Sequence, residues 1–326
     1  MSLRIAVVGV GHLGRHHARI LSSLPGVELV AVVDTNRPRA EEIAAAHGAR
    51  PLFDARDLAG LVDAVTVAVP TALHRDIAVP LLAARVPVLV EKPMARSLAE
   101  ADELIATAAR TGAMLAVGHT ERFNPAVAVA RPLLVDPRFI EVHRLGAFPD
   151  RSLDIDVVFD LMIHDLDVVL SLVGSEVESI EAVGVPVLTP RIDIANARLR
   201  FANGCIANLT ASRISRDRVR KIRFFQPSVY LSIDYAAQKV EMWRLVAGTG
   251  APASIDGGEL TVPNEEPLKR ELLDFVDAVA SRRAPLVTGE QGRRALALAT
   301  EITERIAFTD TASSRRHEVN EGTQRQ

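Results

Sequence analysis

The octapeptide Asp160-Leu-Met-Ile-His164-Asp165-Leu-Asp167 holds the chain's most chemically suggestive spacing. On an α-helix, Asp160, His164 and Asp167 stand at i, i+4 and i+7 and share one face. Leu161, Ile163, Leu166, Val168, Val169 and Leu172 cover much of the remaining surface, so this helix is expected to be mostly buried. An imidazole between carboxylates in such a place has two readings. It is a core histidine satisfied by a neighbouring acid, or it is a proton-transfer group whose orientation the acids fix. Metal is not indicated there, because His164, Asp165 and Asp167 lie too close in sequence to converge as ligands on one helical face.

A second constellation stands at the N-terminus. The β-branched run Leu3–Val8 leads directly into Gly9-Val-Gly11-His12-Leu13-Gly14, and residues 13–24 read as helix. This is GxGxxG between a strand and a helix, where glycines let the backbone turn tightly and approach a pyrophosphate at a helix N-terminus. The next apolar run, Val27–Val33, ends in Asp34, at the spacing of an acid that grips an adenosine ribose. A carboxylate there repels the 2′-phosphate of NADP, so NAD is the expected cofactor and NADP the less favoured one. Arg37 and Arg39 follow and are the residues that could receive that phosphate instead. His12, His16 and His17 read as surface histidines.

The elements that must position these groups alternate. Residues 61–69 (strand, ending in Pro70-Thr71), 74–84 (helix, opened by His74) and 86–90 (strand, closed by Glu91-Lys92-Pro93) come in turn. Ser97 with Glu100 is a capping box for a further helix, and 114–117 is a strand ending at Gly118-His119. Strands separated by helices predict a doubly wound parallel sheet, with its ligand beyond the carboxyl ends of the strands, where Gly9, Asp34, Pro70, Lys92 and His119 fall. After a linking helix over 124–134 the pattern changes to β-rich runs: 139–148, 177–187, 193–201, 205–213, 220–226, 229–235 and 239–246. Asn203-Gly204 is a hairpin signal. These runs predict an open, mostly antiparallel sheet covered on one face by the Asp160 helix, with amphipathic helices over 268–281 and 291–307. The expected division is 1–120 as a dinucleotide domain, 121–308 as a substrate and oligomerisation domain, and 309–326 as a polar, disordered tail.

Composition narrows the function class. In 326 residues, 38 Lys and Arg stand against 41 Asp and Glu, which speaks against a nucleic-acid binder. No run reaches the roughly 18 uninterrupted apolar residues of a membrane span, and the N-terminal apolar run is too short for a signal peptide. A cytoplasmic protein is the expectation. The single cysteine, Cys205, excludes an intrachain disulfide.

With Gly9–Gly14, Glu91-Lys92-Pro93 and Asp160-xxx-His164 in this order, the sequence resembles the Gfo/Idh/MocA oxidoreductases. The resemblance implies a Rossmann domain followed by an open-sheet domain, with Lys92, Asp160 and His164 meeting at the nicotinamide. It implies cofactor contacts from Gly9, Gly11, His12, Leu13, Gly14, Asp34, Pro70, Thr71, His74, Glu91 and Lys92. The stretches Gly118-His119-Thr-Glu121-Arg122-Phe-Asn124-Pro125 and Asp156–Asp167 further resemble the UDP-N-acetylglucosamine 3-dehydrogenase branch. That branch oxidises the sugar 3-hydroxyl ahead of amine transfer, on the way to 3-amino sugars of lipid A or surface polysaccharide. The sequence departs from the family at Asp156-Val-Val-Phe159, where glycines are common, and at Ala84-Arg-Val-Pro87. Sugar contacts are expected from Lys92, His119, Glu121, Arg122, Asn124, Asp160 and His164. His164 is the expected base, Asp160 its orienting group, and Lys92 the cation on the reacting oxygen. Another sugar or polyol dehydrogenase, an NAD-dependent glycosidase and a non-catalytic cofactor-binding regulator are the alternatives.

Two further expectations concern the second half. Val229, Leu231 and Ile233 alternate against Tyr230 and Ser232, which suggests an apolar outer face and a homodimer or homotetramer through this sheet. Arg213, Arg216, Arg218, Arg220, Lys221 and Arg223 form the densest basic run. It is a solvated face or subunit contact, or it supplies one or two arginines to a substrate diphosphate.

Overall fold

A computed structural model describes residues 2–148, 155–247 and 252–323, with side chains as far as Ile306. The chain forms two compact units, 1–124 with 265–296 and 125–264 with 297–326.

The first unit is built on six parallel strands: β1 (Leu3–Val8), β2 (Val27–Val33), β3 (Arg50–Leu52), β4 (Ala64–Val67), β5 (Val88–Glu91) and β6 (Leu115–Gly118). Their order is 3-2-1-4-5-6, the doubly wound arrangement. β4, β5 and β6 are buried along their whole length, as continuous apolar runs in a parallel sheet should be. Helices α1 (Gly14–Leu21), α2 (Arg37–His47), α3 (His74–Ala83) and α4 (Leu98–Thr111) make the crossovers. α2 and β3 have weak sequence signals. The helix is fixed by its start, where the Asn36 side chain accepts the Arg39 N–H at 3.2 Å. At α4, Ser97 Oγ caps Glu100 N–H, but the Glu100 carboxylate takes the Arg96 N–H at 3.1 Å in place of the reciprocal bond of a capping box.

Residues 265–296, expected with the second domain, pack in the first unit instead. There Leu268, Leu272, Phe275 and Val276 join Ile5, Val7, Leu21 and Val32 in one core. The periodicity of the segment specifies an amphipathic helix, but a helix's apolar stripe does not name the sheet it covers.

In the second unit, α5 (Pro125–Ala130) and a short 3₁₀ turn occupy the expected linking helix. Eight strands follow: β7 (Phe139–Leu145), β8 (Val177–Val185), β9 (Ile194–Phe201), β10 (Ile206–Ser212), β11 (Val219–Gln226), β12 (Val229–Asp234), β13 (Lys239–Val246) and β14 (Ser254–Leu260). Their order is 14-13-12-11-7-10-9-8, antiparallel except for the β7–β10 pair. β14, with Gly257 and Gly258 in its seven residues, escaped the sequence reading because it has almost no apolar alternation. Asn203-Gly204 turns β9 into β10, with Gly204 at φ +84°.

α6 (Ile163–Val173) follows a π-helical turn, Val158–Met162. It is pinned to the inner face of β7 by a buried fork from Arg144 to Asp165, with N···O distances of 2.5 and 3.0 Å. The last helices are α7 (Pro267–Ser281), in the first unit, and α8 (Gly289–Thr323). α8 takes in most of the stretch expected as a disordered tail, and residues 324–326 lie outside the described residues. No described helix is long and apolar enough to cross a membrane.

Val229, Leu231 and Ile233 do not form the outer apolar face expected of them. Leu231 and Ile233 are fully buried, so this apolar set points into the core. One step along the pleat, Phe225 and Trp243 are exposed and Tyr230 half-buried, with the Phe225 ring 5.5 Å from Phe139 and 5.4 Å from Tyr230.

The basic run divides as well. Arg213 is buried, its Nε donating to Asp193 at 2.8 Å and its two Nη groups to the Ile155 carbonyl and Thr189 Oγ1. Arg223 pairs with Glu141 at 2.7 Å and Lys221 with Asp234 at 3.4 Å. Arg216, Arg218 and Arg220 remain exposed.

Burial opposes charge on Asp193, but the N–H groups of Leu188 and Thr189 and the Arg213 guanidinium outweigh it and hold the carboxyl far below the usual carboxylate range. Arg213→Met should therefore destabilise the second unit by about 3 kcal/mol, because it leaves the buried Asp193 carboxylate with its N–H donors but no counter-charge. A denaturant melt showing less than about 1 kcal/mol would contradict this. The stability Asp193 lends is complete above its unfolded value of 3.8 and fades as pH falls below it, so Asp193→Asn should melt with a shallower acid limb than wild type.

Candidate active site

The glycine loop of the first unit has no room for a side chain at two of its three glycines, Gly9 and Gly14. Gly9 adopts φ +84°, and a Cβ there would meet the Ala68 backbone at 2.8 Å. At Gly14 a Cβ would lie 1.7 Å from the Gly9 carbonyl oxygen, so loop and helix touch backbone to backbone. No side chain caps the start of α1; its first turn is closed by the loop's own carbonyls, Arg15 N–H donating to Gly11 at 3.3 Å and His16 N–H to Leu13 at 2.8 Å.

Beside it, the Asp34 carboxylate accepts the N–H of Val10 at 3.0 Å and of Asn36 at 2.9 Å, which ties the end of β2 to the glycine loop. A cleft of about 420 Å³ opens here, lined by Gly11, His12, Arg15, Arg39 and Glu42. Of the two arginines considered for a phosphate, Arg39 reaches the cleft, whereas the Arg37 guanidinium stacks 4.1 Å above the Phe53 ring. A glycine loop cramped at Gly9 and Gly14, a helix that opens directly from it and an acid at the next strand end fit a dinucleotide.

The other strand ends are braced from within. Pro70 precedes a 3₁₀ turn, Thr71–Leu73, and His74 opens α3. His74 is buried, with Nδ1 3.0 Å from the Pro93 carbonyl and Nε2 2.9 Å from that of Val69. Its burial pushes the imidazole's pKa down. It is a strut between two loops: as a neutral ring it donates its one N–H to one of these carbonyls and packs against the other.

Glu91, also buried, ends β5. Its Oε2 accepts the Lys92 N–H at 3.2 Å and its Oε1 faces His17 Nε2 at 3.1 Å. His17 is thus no surface residue: it is fully buried on the inner side of α1, while His12 is exposed. A single histidine in an apolar helix face gave no sign that a buried carboxylate awaited it. With Glu271, these two make a group whose ligand-capable atoms all lie within 4.8 Å. Of the expected sugar contacts, His119, Arg122 and Asn124 are buried and Glu121 is half-buried, with Asn124 Nδ2 donating to Glu121 Oε2 at 3.2 Å.

In the second unit the chemistry-bearing helix is not uniform. The π turn over Val158–Met162 carries Asp160, and α6 begins one residue before His164. π turns of this kind recur at functional sites because the extra residue re-aims side chains. Asp160 and His164 are the half-exposed polar groups of the segment, whereas Asp165 and Asp167 are buried. The acid–imidazole–acid stripe therefore contracts to Asp160 and His164. Asp156 anchors the approach to the turn, its Oδ1 accepting the Ile192 N–H at 3.0 Å.

Comparisons with known proteins agree with this architecture. Residues 3–119 match the family model described as an oxidoreductase family with an NAD-binding Rossmann fold, GFO_IDH_MocA, and residues 136–226 match the GFO/IDH/MocA C-terminal domain. The UDP-N-acetylglucosamine 3-dehydrogenase of Acidithiobacillus ferrooxidans is 39% identical over 303 residues, 92% of this chain and 96% of that protein. A solved structure of that enzyme superposes with a TM-score of 0.88 at 37% identity, covering 94% of this chain and 98% of the other. An inositol 2-dehydrogenase of Acidothermus cellulolyticus is 34% identical over 56% of this chain and 57% of its own length. An Agrobacterium radiobacter oxidoreductase, solved in complex with NAD+, L-tartaric acid and magnesium, shares the fold at 19% identity and a TM-score of 0.82, over 94% and 97% of the two chains. The chain belongs to the Gfo/Idh/MocA family of oxidoreductases.

Proposed function

We propose that this oxidoreductase removes a hydride from the 3-hydroxyl carbon of UDP-N-acetylglucosamine, with NAD as acceptor, and so supplies a 3-keto sugar for amine transfer toward 3-amino sugars. The observation that carries this reading is the 39% identity spanning nearly all of both chains. The inositol dehydrogenase match over about half the chain supports a polyol or free-sugar substrate as the second reading.

Bound NAD supplies the hydride acceptor. His164 takes the hydroxyl proton, and Asp160, on the preceding π turn, orients the ring or holds a neighbouring hydroxyl. Lys92, at the end of β5, places its ammonium on the reacting oxygen and stabilises the developing alkoxide. Gly9, Gly11, Leu13 and Gly14 hold the pyrophosphate, Asp34 the adenosine ribose, and Glu121 a sugar hydroxyl. Arg216, Arg218 and Arg220, exposed beside the already paired Arg213 and Arg223, are the diphosphate candidates. The aromatic patch of exposed Phe225 and Trp243 with half-buried Tyr230 joins protomers of a homo-oligomer, and the protein acts in the cytoplasm.

NADH formation measured with UDP-N-acetylglucosamine, other UDP-sugars and inositols tests the substrate, and turnover of inositol alone would favour the second reading. Lys92→Met and His164→Asn should each lower kcat by about 10²-fold or more while leaving the NAD Kd within threefold. Near-normal turnover in both discards the scheme. Asp34→Ser should narrow the preference for NAD over NADP about tenfold in Kd, and a wild-type protein that binds NADP more tightly contradicts the cofactor assignment. Trp243→Glu should lower the mass in solution toward that of a monomer, as read by light scattering.

A further inference from the structure

His17 does no work in the scheme above, yet it is fully buried. Its ring makes a single hydrogen bond, Nε2 to Glu91 Oε1 at 3.1 Å, and Nδ1 has no hydrogen-bond partner. A residue needed only to fill this space would cost less as leucine, because a buried ring nitrogen without a partner is unfavourable. The one bond it makes must account for its presence.

That bond leads to Lys92. Glu91 is itself 5% exposed, and its carboxylate is shared between two donors: His17 on Oε1, and the Lys92 backbone N–H on Oε2 at 3.2 Å. Room for the carboxylate is cut out by Gly118 on the neighbouring strand, where a Cβ would stand 2.8 Å from Oε1. A carboxylate oxygen of Glu271, from α7, completes the cluster within 4.8 Å. Without His17 the Glu91 carboxylate would lose one of its two described donors in a setting where hydrogen bonds to a charged group are strong. Its rotamer, and with it the acceptor for the Lys92 N–H, would no longer be fixed.

We propose that His17 is a positioning residue, acting through Glu91 to hold the backbone of Lys92 and thereby aim its ammonium. The proposal rests on the reading of Lys92 as the group that stabilises the alkoxide. Because His17 lies on α1, one turn beyond Gly14, the bond also makes the lysine's position depend on the helix that starts at the glycine loop. Glutamine at 17 can present one N–H donor to Glu91, and alanine cannot.

The test has one arm that needs no substrate. Hydrogen exchange at the Lys92 amide, resolved by fragmentation mass spectrometry on the full chain, should speed up about tenfold or more in His17→Ala and return to within threefold of wild type in His17→Gln. With substrate, His17→Ala should lower kcat about tenfold or more while KM and the NAD Kd stay within threefold. Glu91→Gln, which keeps size and shape, should show the same split, and His17→Ala/Glu91→Gln should cost no more than either single variant.

Unchanged protection of the Lys92 amide in His17→Ala overturns the proposal. So does a kcat loss matched by loss of NAD affinity, a glutamine variant as poor as the alanine one, or additive losses in the double variant. If His17→Ala fails to fold, the Glu91→Gln exchange rate decides alone. Dialysis against EDTA that reproduces the alanine phenotype would make the cluster an ion site and also overturn it. Failure of the function itself has a separate sign: Lys92→Met turning over normally, or no sugar oxidised, with the exchange arm intact.

Discussion

Backbone crowding at the first turn of the parallel sheet governs what this molecule can hold. The Gly9 carbonyl oxygen sits where a side-chain carbon of residue 14 would have to be, 1.7 Å from its ideal position. No rotamer relieves such a clash, because the backbone alone fixes where a Cβ stands and its partner is a main-chain oxygen. The contact sets the start of α1 against the loop, beside the Asp34 carboxylate that accepts the loop's Val10 N–H. A dinucleotide site here is thus a property of missing atoms as much as of present ones.

Buried charge follows a common rule in both units. Asp193 with Arg213, Asp165 with Arg144, and Glu91 with His17 are each removed from water and joined by direct hydrogen bonds. Each stands next to a segment that has to be aimed. Arg213 grips the Ile155 carbonyl just before the π turn, Asp165 locks α6 one residue past His164, and Glu91 adjoins Lys92. Removing water around such pairs strengthens their electrostatics and penalises any conformer that separates them.

Most of the fold was legible in the sequence, for reasons that also explain the failures. Continuous apolar strands closing on glycine, proline or an acid marked the parallel sheet, and alternation marked seven of the eight strands in the second. The missed β14 lacks alternation, and α2 lacks a strong apolar stripe. Assigning Leu231 and Ile233 to the outer face failed because a period of two reveals that faces differ, not which of them is covered. His17 failed for a related reason: its partners Glu91 and Glu271 lie 74 and 254 positions away, and no local pattern joins them. Lys92, Asp160 and His164 are singled out by residue type, by order along the chain and by the family resemblance, and their joint role is part of the proposal. The π turn that separates Asp160 from a regular helix was not encoded in any spacing rule.

Neither unit is a continuous piece of chain. The first unit's core draws Leu272 and Phe275 from a segment that follows the entire eight-stranded sheet. On a ribosome, the opening strands would wait with an uncovered apolar surface until some 150 further residues had been made, longer than typical for a domain that finishes before the next begins. A fragment cut at residue 124 would carry the complete nucleotide loop yet lack part of the packing that keeps its sheet dry.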